Sequence, residues 1–463
     1  MPSTFAATRT CQSGDILTIA PMMGWTDRHY RFLFRLLSKH TRLYTEMFVA
    51  NTLLHSPQAT RMLRFSAAES PVACQLGGSD PDLLARAAVM AEAAGYNEIN
   101  LNCGCPSARV AGKGSFGARL MFSPELVRDC VAAMKAAVSI PITVKCRLGA
   151  DDMDSYEEFK HFVSTVKDGG VDHFIVHARS CRLSGLDPKE NRTIPPLRYA
   201  WVQRLALEHP ELRISINGGL VEPLQIEQLL SLAREGLPIN TLQTKNEEKN
   251  DTPIADAISN DDVDHGDNVD ADENCGPCDG VGTIDEGKSD LPQKLKHDAA
   301  VGRLCGDQFF ESVCAGHGLP RIGGGGFGTI NAVIDSVMVG RAAYNDPWRF
   351  ADVDVRFFGA ESCPALSRRA VILRYLDYAD EITAGLDEEE KTMILYRPFE
   401  FAKPLLALFA GERGGSRFRK HLSQSLQEKS MGLREAVMLA LSGLDDEILD
   451  APPGAKKSSL RES

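Results

Sequence analysis

Eight short apolar or β-branched runs alternate with longer amphipathic stretches along this chain. That alternation restricts its fold more than any other feature. The runs are Ile16–Ala20, Leu43–Met47, Val72–Leu76, Glu98–Asn102, Ile142–Cys146, His173–His177, Arg213–Asn217 and Asp335–Val339. Between them lie helical patterns such as Asp80–Ala94, Ser123–Val138, Ser155–Lys167, Leu197–Glu208 and Pro223–Arg234. Ser123 before Pro124, Ser155 before Tyr156-Glu157-Glu158 and Asp80 before Pro81 read as helix N-caps. Eightfold strand–helix alternation predicts an α/β fold, a (β/α)8 TIM barrel. A doubly wound sheet also alternates, but gives no reason for polar residues to recur at the strand ends.

In a barrel, chemistry sits where the strands end at their carboxyl termini. Those ends read Pro21-Met22-Met23-Gly24, Glu46, Gln75, Asn102/Cys105, Lys145/Arg147, His177, Asn217-Gly218-Gly219 and Gly340-Arg341. So much polarity at one rim reads as an active site. Around the barrel, residues 1–15 form a leader and 16–236 hold strands one to seven. Residues 237–332 are an acidic and then glycine-rich insertion, and 333–358 complete the barrel with strand eight. Residues 359–445 read as a small all-helical domain, with candidate helices Arg369–Ile382, Tyr396–Phe409 and Arg417–Gln427, before a tail over 446–463. From Leu237 to about Asp298 the insertion is aromatic-poor and aperiodic, which predicts disorder.

The net charge of −12 does not exclude a nucleic-acid partner. Residues 241–300 carry 16 acidic side chains against 5 lysines; setting them aside leaves 46 Lys+Arg and 47 Asp+Glu. The acidity belongs to one segment, and local patches decide what a polyanion meets. No stretch approaches the roughly 20 apolar residues of a membrane span, and the short leader lacks a hydrophobic signal segment. Twelve scattered cysteines predict reduced thiols in the cytoplasm rather than a disulfide scaffold. An organelle is left open, and a monomer that binds neither DNA nor a membrane is expected.

Three constellations carry the chemistry. Asn217-Gly218-Gly219 and Gly340-Arg341 put small residues and free N–H groups side by side after strands seven and eight, which favours a phosphate site. Lys145 and His177 end strands five and six and point over one cavity, where a lysine would stabilise negative charge on a reduced flavin. Gln75 would donate to a flavin carbonyl. Alone, His177 reads as a structural histidine and Lys145 as a rim salt bridge; together they read as a cofactor site. Third, Gly104 and Pro106 hold Cys105 in a strand-end turn, beside Asn102. A thiol with pKa near 8.5 is mostly protonated at neutral pH and serves as a proton donor. Cys103 competes for that role, although the turn should break the alternation. Cys74, Cys130 and Cys146 read as small buried hydrophobes.

These residues carry a family resemblance. The chain resembles the tRNA-dihydrouridine synthases, most closely the A subfamily, over nearly all of residues 16–235 and 333–430. The matching stretches include Ala20-Pro-Met-Met-Gly-Trp-Thr-Asp27, Gln75-Leu-Gly-Gly78, Asn100-Leu-Asn-Cys-Gly-Cys-Pro-Ser107, Thr143-Val-Lys-Cys-Arg-Leu-Gly149, Pro188-Lys-Glu-Asn-Arg192, Ile216-Asn-Gly-Gly219 and Val339-Gly-Arg-Ala-Ala343. The resemblance implies an FMN enzyme, with NADPH as reductant, acting on D-loop uridines 20 and 20a of tRNA. It implies FMN contacts at Pro21, Met22, Met23, Gln75, Lys145, His177, Asn217, Gly218, Gly219, Gly340 and Arg341. It places the proton donor at Cys105 and tRNA contacts at Asn102, Lys189, Arg192, Arg419 and Lys420. Hydride would reach C6 of an extruded uracil while Cys105 protonates C5. The cluster Arg413, Arg417, Arg419, Lys420 and His421 would grip phosphates.

Two departures stand out. Cys103 replaces an expected apolar residue, and the acidic insertion is foreign to the family. Cys275-x-x-Cys278 within it, with Cys305, Cys314 and His317, fits no standard zinc spacing, so no metal is expected. The competing readings are a flavin barrel acting on a free small molecule, as dihydroorotate dehydrogenases do, and a tRNA-binding protein that has lost catalysis.

Overall fold

The computed structural model describes residues 16–239, 334–385, 398–427 and 431–455. The predicted insertion from residue 240 onward, with Cys275, Cys278, Cys305, Cys314 and His317, lies outside the described residues. The described residues all fall within one of two compact units of the chain.

Eight parallel strands close into a barrel in sequence order. They are β1 Leu17–Ile19, β2 Arg42–Val49, β3 Val72–Gly77, β4 Glu98–Cys103, β5 Ile142–Arg147, β6 His173–His177, β7 Arg213–Asn217 and β8 Ser336–Val339. Each overlaps its predicted run. β2 runs longer than its predicted core and carries an irregularity between Tyr44 and Met47, one extra residue against β3.

Strand alternation decides which side chains fill the interior. Ala20, Tyr44, Ala73, Ile175 and Met338 make an apolar layer inside the barrel. Two residues further along their strands, Gln75, His177 and Gly340 come to the mouth. The register sets Asn102 beside Lys145, Arg147 beside His177, and His177 beside Asn217. Polarity at the strand ends is thus gathered into one rim.

The outer helices follow from their sequences. The helix Pro81–Ala93 buries Leu84, Ala87, Ala88 and Ala91 on one face, and Asp80 accepts from Leu83 N as its cap. Ser155 and Glu158 form a reciprocal capping box for Tyr156–Lys167. Ser123 does not cap its helix with its side chain. Pro124 at the first helical position, with φ already fixed, starts that helix instead. The expected helix Tyr396–Phe409 is also broken: α-helix over Pro398–Ala402 gives way to a 3-10 turn over Lys403–Leu405. Pro404 lacks the N–H that a continuing helix would need and crowds the Glu400 carbonyl.

Beyond the barrel lie the helices Arg368–Ala384, Gly415–Gln427 and Leu433–Leu441. Arg368, the first residue of its helix, is buried, donating to Leu408 O, Ile448 O and Glu412 Oε1 (2.6 Å) while its guanidinium lies 4.8 Å from the Trp348 ring centre. An aromatic seam ties the first helix of the barrel, Arg28–Leu37, to these helices. Phe32 stacks on Tyr378 at 3.8 Å, and His29 packs against Phe401 at 4.0 Å.

Candidate active site

Lys145, from β5, reaches across the mouth to donate to Asn217 Oδ1 at 3.1 Å. The Asn217 amide in turn donates to Met338 O at 2.8 Å, which locks the orientation of its oxygen. Burial, aided by Arg147, pushes the Lys145 ammonium down to about 8. It still carries most of its charge at neutral pH. Burial, with Arg147 and Lys145 beside it, pushes His177 well below its ordinary value, so the imidazole is neutral. A neutral His and a charged Lys over one cavity offer an uncharged hydrogen-bonding group and a cation to an electron-rich ring.

Cys105 stands one turn beyond β4. Asn102 Oδ1 accepts from both Gly104 N and Cys105 N at 3.0 Å, and Cys105 O accepts from Ala118 N at 2.9 Å. These bonds hold the half-buried Cys105 in the turn. Cys103 does not compete. As the last residue of β4 it follows the strand alternation outward, pairs in register with Cys146, and is fully buried. Burial raises its thiol pKa, with Cys146 and Cys130 adding to the shift. Cys74, Cys130 and Cys146 are likewise buried, each pushed up to about 12 by burial.

Gly218 and Gly219 both have positive φ, +109° and +70°. A Cβ on Gly218 would fall 2.7 Å from His177 Cδ2, so only glycine lets this turn pass the histidine. The N–H groups of Gly218 and Gly219 find no acceptor among the described residues. Gly340 follows the neighbouring strand β8 and opens the short helix Arg341–Asn345; a Cβ there would meet Ala20 Cβ and Met22 Sδ at an ordinary 3.6 Å. Pro21, Met22 and Arg341 are half-buried at this rim, and Met23 is 64% exposed.

Lys189 precedes, and Arg192 ends, a 3-10 turn over Glu190–Arg192. Asn191 is the buried post of that turn, bonded to Arg182 N, Arg182 O, Leu186 O and Asp187 O. Arg147 joins this loop to the cysteine turn: it donates to Gly104 O (2.9 Å), Ser180 O (3.1 Å) and Asn191 O (2.8 Å). Sequence reasoning named Arg147 only as a polar strand end and missed Asn191 as a post.

The helical cluster separates into unequal members. Arg413 pairs with Asp445, Arg419 is half-buried and donates to Ser416 Oγ at 3.0 Å, and Arg417, Lys420 and His421 are exposed.

Residues 18–236 match the family described as Dihydrouridine synthase (Dus). The chain is 55% identical over 215 residues to the tRNA-dihydrouridine(20/20a) synthase of Synechocystis sp., covering 46% of this chain and 64% of that protein. It is 57% identical over 204 residues to the protein of the same description from Xanthomonas campestris pv. campestris, covering 44% and 60%. Against the one from Escherichia coli O6:H1 it is 55% identical over 204 residues, covering 44% and 61%. The match thus spans 60 to 64% of the length of these three relatives. The likeness to the dihydrouridine synthase family thus rests on residues 18–236, just under half of the chain.

Proposed function

We propose that this protein is an FMN-dependent tRNA-dihydrouridine synthase that reduces D-loop uridines 20 and 20a to 5,6-dihydrouridine with NADPH. The observation that carries the reading is the mouth itself: an anchored thiol turn shares one rim with a charged lysine, a neutral histidine and glycine N–H groups free to bind an anion.

Those donors fit a flavin mononucleotide. Gly218, Gly219, Gly340 and Arg341 would hold its phosphate, while Lys145, His177, Gln75 and Asn217 would face the ring. Pro21, Met22 and Met23 would line its remaining edge. When bound, the flavin supplies the hydride that goes to C6 of the uracil.

Cys105 holds the proton for C5, and Asn102 keeps the turn that presents it. Lys145 keeps a positive charge where electron density is greatest. The target uridine lies in a folded loop and must be extruded to reach the mouth. Lys189 and Arg192 on the rim, with Arg419 and Lys420 on the helical segment, would contact the tRNA.

Among the described residues no helix is long and apolar enough to cross a membrane. The deciding experiment maps dihydrouridine in unmodified tRNA incubated with the purified protein, FMN and NADPH. Dihydrouridine at positions 20 and 20a is expected; NADPH oxidation unaffected by tRNA would reject the reading.

A further inference from the structure

Below the mouth, the barrel interior holds an unbroken chain of polar side chains. Asn102 Nδ2 donates to Gln75 Oε1 at 3.0 Å, and Gln75 Nε2 donates to Asn100 Oδ1 at 2.8 Å. Asn100 Nδ2 donates to Thr143 Oγ1 at 2.9 Å, and Thr143 donates to Glu98 Oε1 at 2.7 Å. Tyr44 OH also donates to Glu98 Oε1 at 2.7 Å, and Arg42 Nε lies 3.6 Å from its other oxygen. Asn100 is fully buried, and Thr143 and Glu98 are 2% and 3% exposed.

The chain has one polarity, imposed from both ends. At the mouth, Gly104 N and Cys105 N are fixed donors, so Asn102 must turn its oxygen to them and its nitrogen to Gln75. At the foot, Glu98 Oε1 accepts from the hydroxyls of both Thr143 and Tyr44, so Thr143 is left to accept from Asn100. The two requirements agree at every link between. One amide flipped inside the chain would set nitrogen against nitrogen and leave a buried donor unmade.

We propose that Glu98, Asn100 and Thr143 are positioning residues: through Gln75 and Asn102 they set the turn that carries Cys105, from the opposite end of β4. This deepens the functional reading above and rests on it for its catalytic consequence. None of the three reaches the mouth, so each acts only through the next.

The test compares Thr143→Val, which removes the central hydroxyl at nearly constant shape, with Thr143→Ser, which keeps it. Two quantities are read on the full-length protein. The first is the iodoacetamide alkylation rate of Cys105 without flavin or tRNA, followed by site-resolved mass spectrometry. The second is single-turnover dihydrouridine formation by the FMN-loaded, pre-reduced protein. Thr143→Val should alkylate at least fivefold faster and turn over at least tenfold slower, with flavin reduction by NADPH within twofold of wild type. Thr143→Ser should stay within twofold throughout. Wild-type alkylation in Thr143→Val overturns the proposal, whether or not turnover falls, because the effect would then bypass the turn. If Thr143→Val does not fold, Glu98→Gln replaces it, since an amide no longer imposes polarity at the foot; wild-type alkylation there also overturns the proposal. A wild-type protein that makes no dihydrouridine, yet shows the alkylation change in the variant, rejects the enzyme reading and keeps the positioning role.

Discussion

Replacing Gly218 by alanine should damage both stability and cofactor binding, and the geometry sets the scale. At φ +109° an L-residue is strained, by about 1–2 kcal/mol. The added methyl would also fall 2.7 Å from His177 Cδ2 and 3.2 Å from Leu197 Cδ2, an overpacking that costs about 1–3 kcal/mol. Lower freedom in the unfolded chain offsets about 0.4–1 kcal/mol. The net loss is about 1–5 kcal/mol. Gly236 isolates the dihedral part, because it has φ +69° with nothing within 4 Å of its would-be Cβ. Gly236→Ala should therefore lose only about 1 kcal/mol. Function separates the two further. To make room at Gly218, His177 must leave its place, so FMN affinity should fall at least tenfold, about 1.4 kcal/mol. Gly236→Ala should bind FMN as wild type does. Chemical denaturation measures the first quantity and FMN fluorescence titration the second. If Gly218→Ala binds FMN like wild type and unfolds like Gly236→Ala, the close passage of turn and histidine is not a constraint.

The barrel was legible because its signal is repeated. Eight apolar runs with polar ends give a period that one misread turn does not destroy, and every predicted run overlaps a strand. Ends of elements were less legible. Ser123 has the right residue type for a cap and Pro124 the right follower, yet the side chain does not bond. Residue type records what a cap permits, whereas backbone angles decide whether it forms. Pro404 interrupts an otherwise periodic stretch, and its missing N–H ends a helix that periodicity alone would continue.

The site divides along the same line. Strand parity predicts that Lys145, His177, Gln75 and Asn102 share a cavity, and carrying it two residues back from Asn102 reaches Asn100 and then Glu98. Polar residues at consecutive inward positions were the available clue to the buried chain. Nothing in the sequence could tell that Arg147 would donate to three carbonyls from three separate segments. Carbonyls belong to every residue, so a side chain whose acceptors are main-chain atoms leaves no pattern.

Cys105→Ala should keep FMN and tRNA binding while nearly abolishing dihydrouridine formation; full activity would refute the proton-donor role. Glu412→Ala leaves the buried Arg368 guanidinium without its carboxylate and should cost about 3–5 kcal/mol; a loss below about 1 kcal/mol in denaturant unfolding would refute it. Lys145 gives a pH test with two opposite signs. Its pKa is about 8 in the fold, against an ordinary 10.5, so between those values the unfolded chain binds more protons. The contribution of this group to stability therefore rises with pH across that window, because the cost of burying the ammonium is present below 8 and relieved above it. FMN affinity runs the other way. The proposed contact is a hydrogen bond from the charged lysine to the flavin ring, so binding should weaken as pH climbs past about 8. Lys145→Met should bind FMN more weakly at pH 7 and remove this lysine's part of both slopes. Opposed slopes are the diagnostic, since a general alkaline loosening would lower stability and affinity together. Wild-type FMN affinity that stays flat from pH 7 to 9.5 would show that the ammonium does not face the cofactor.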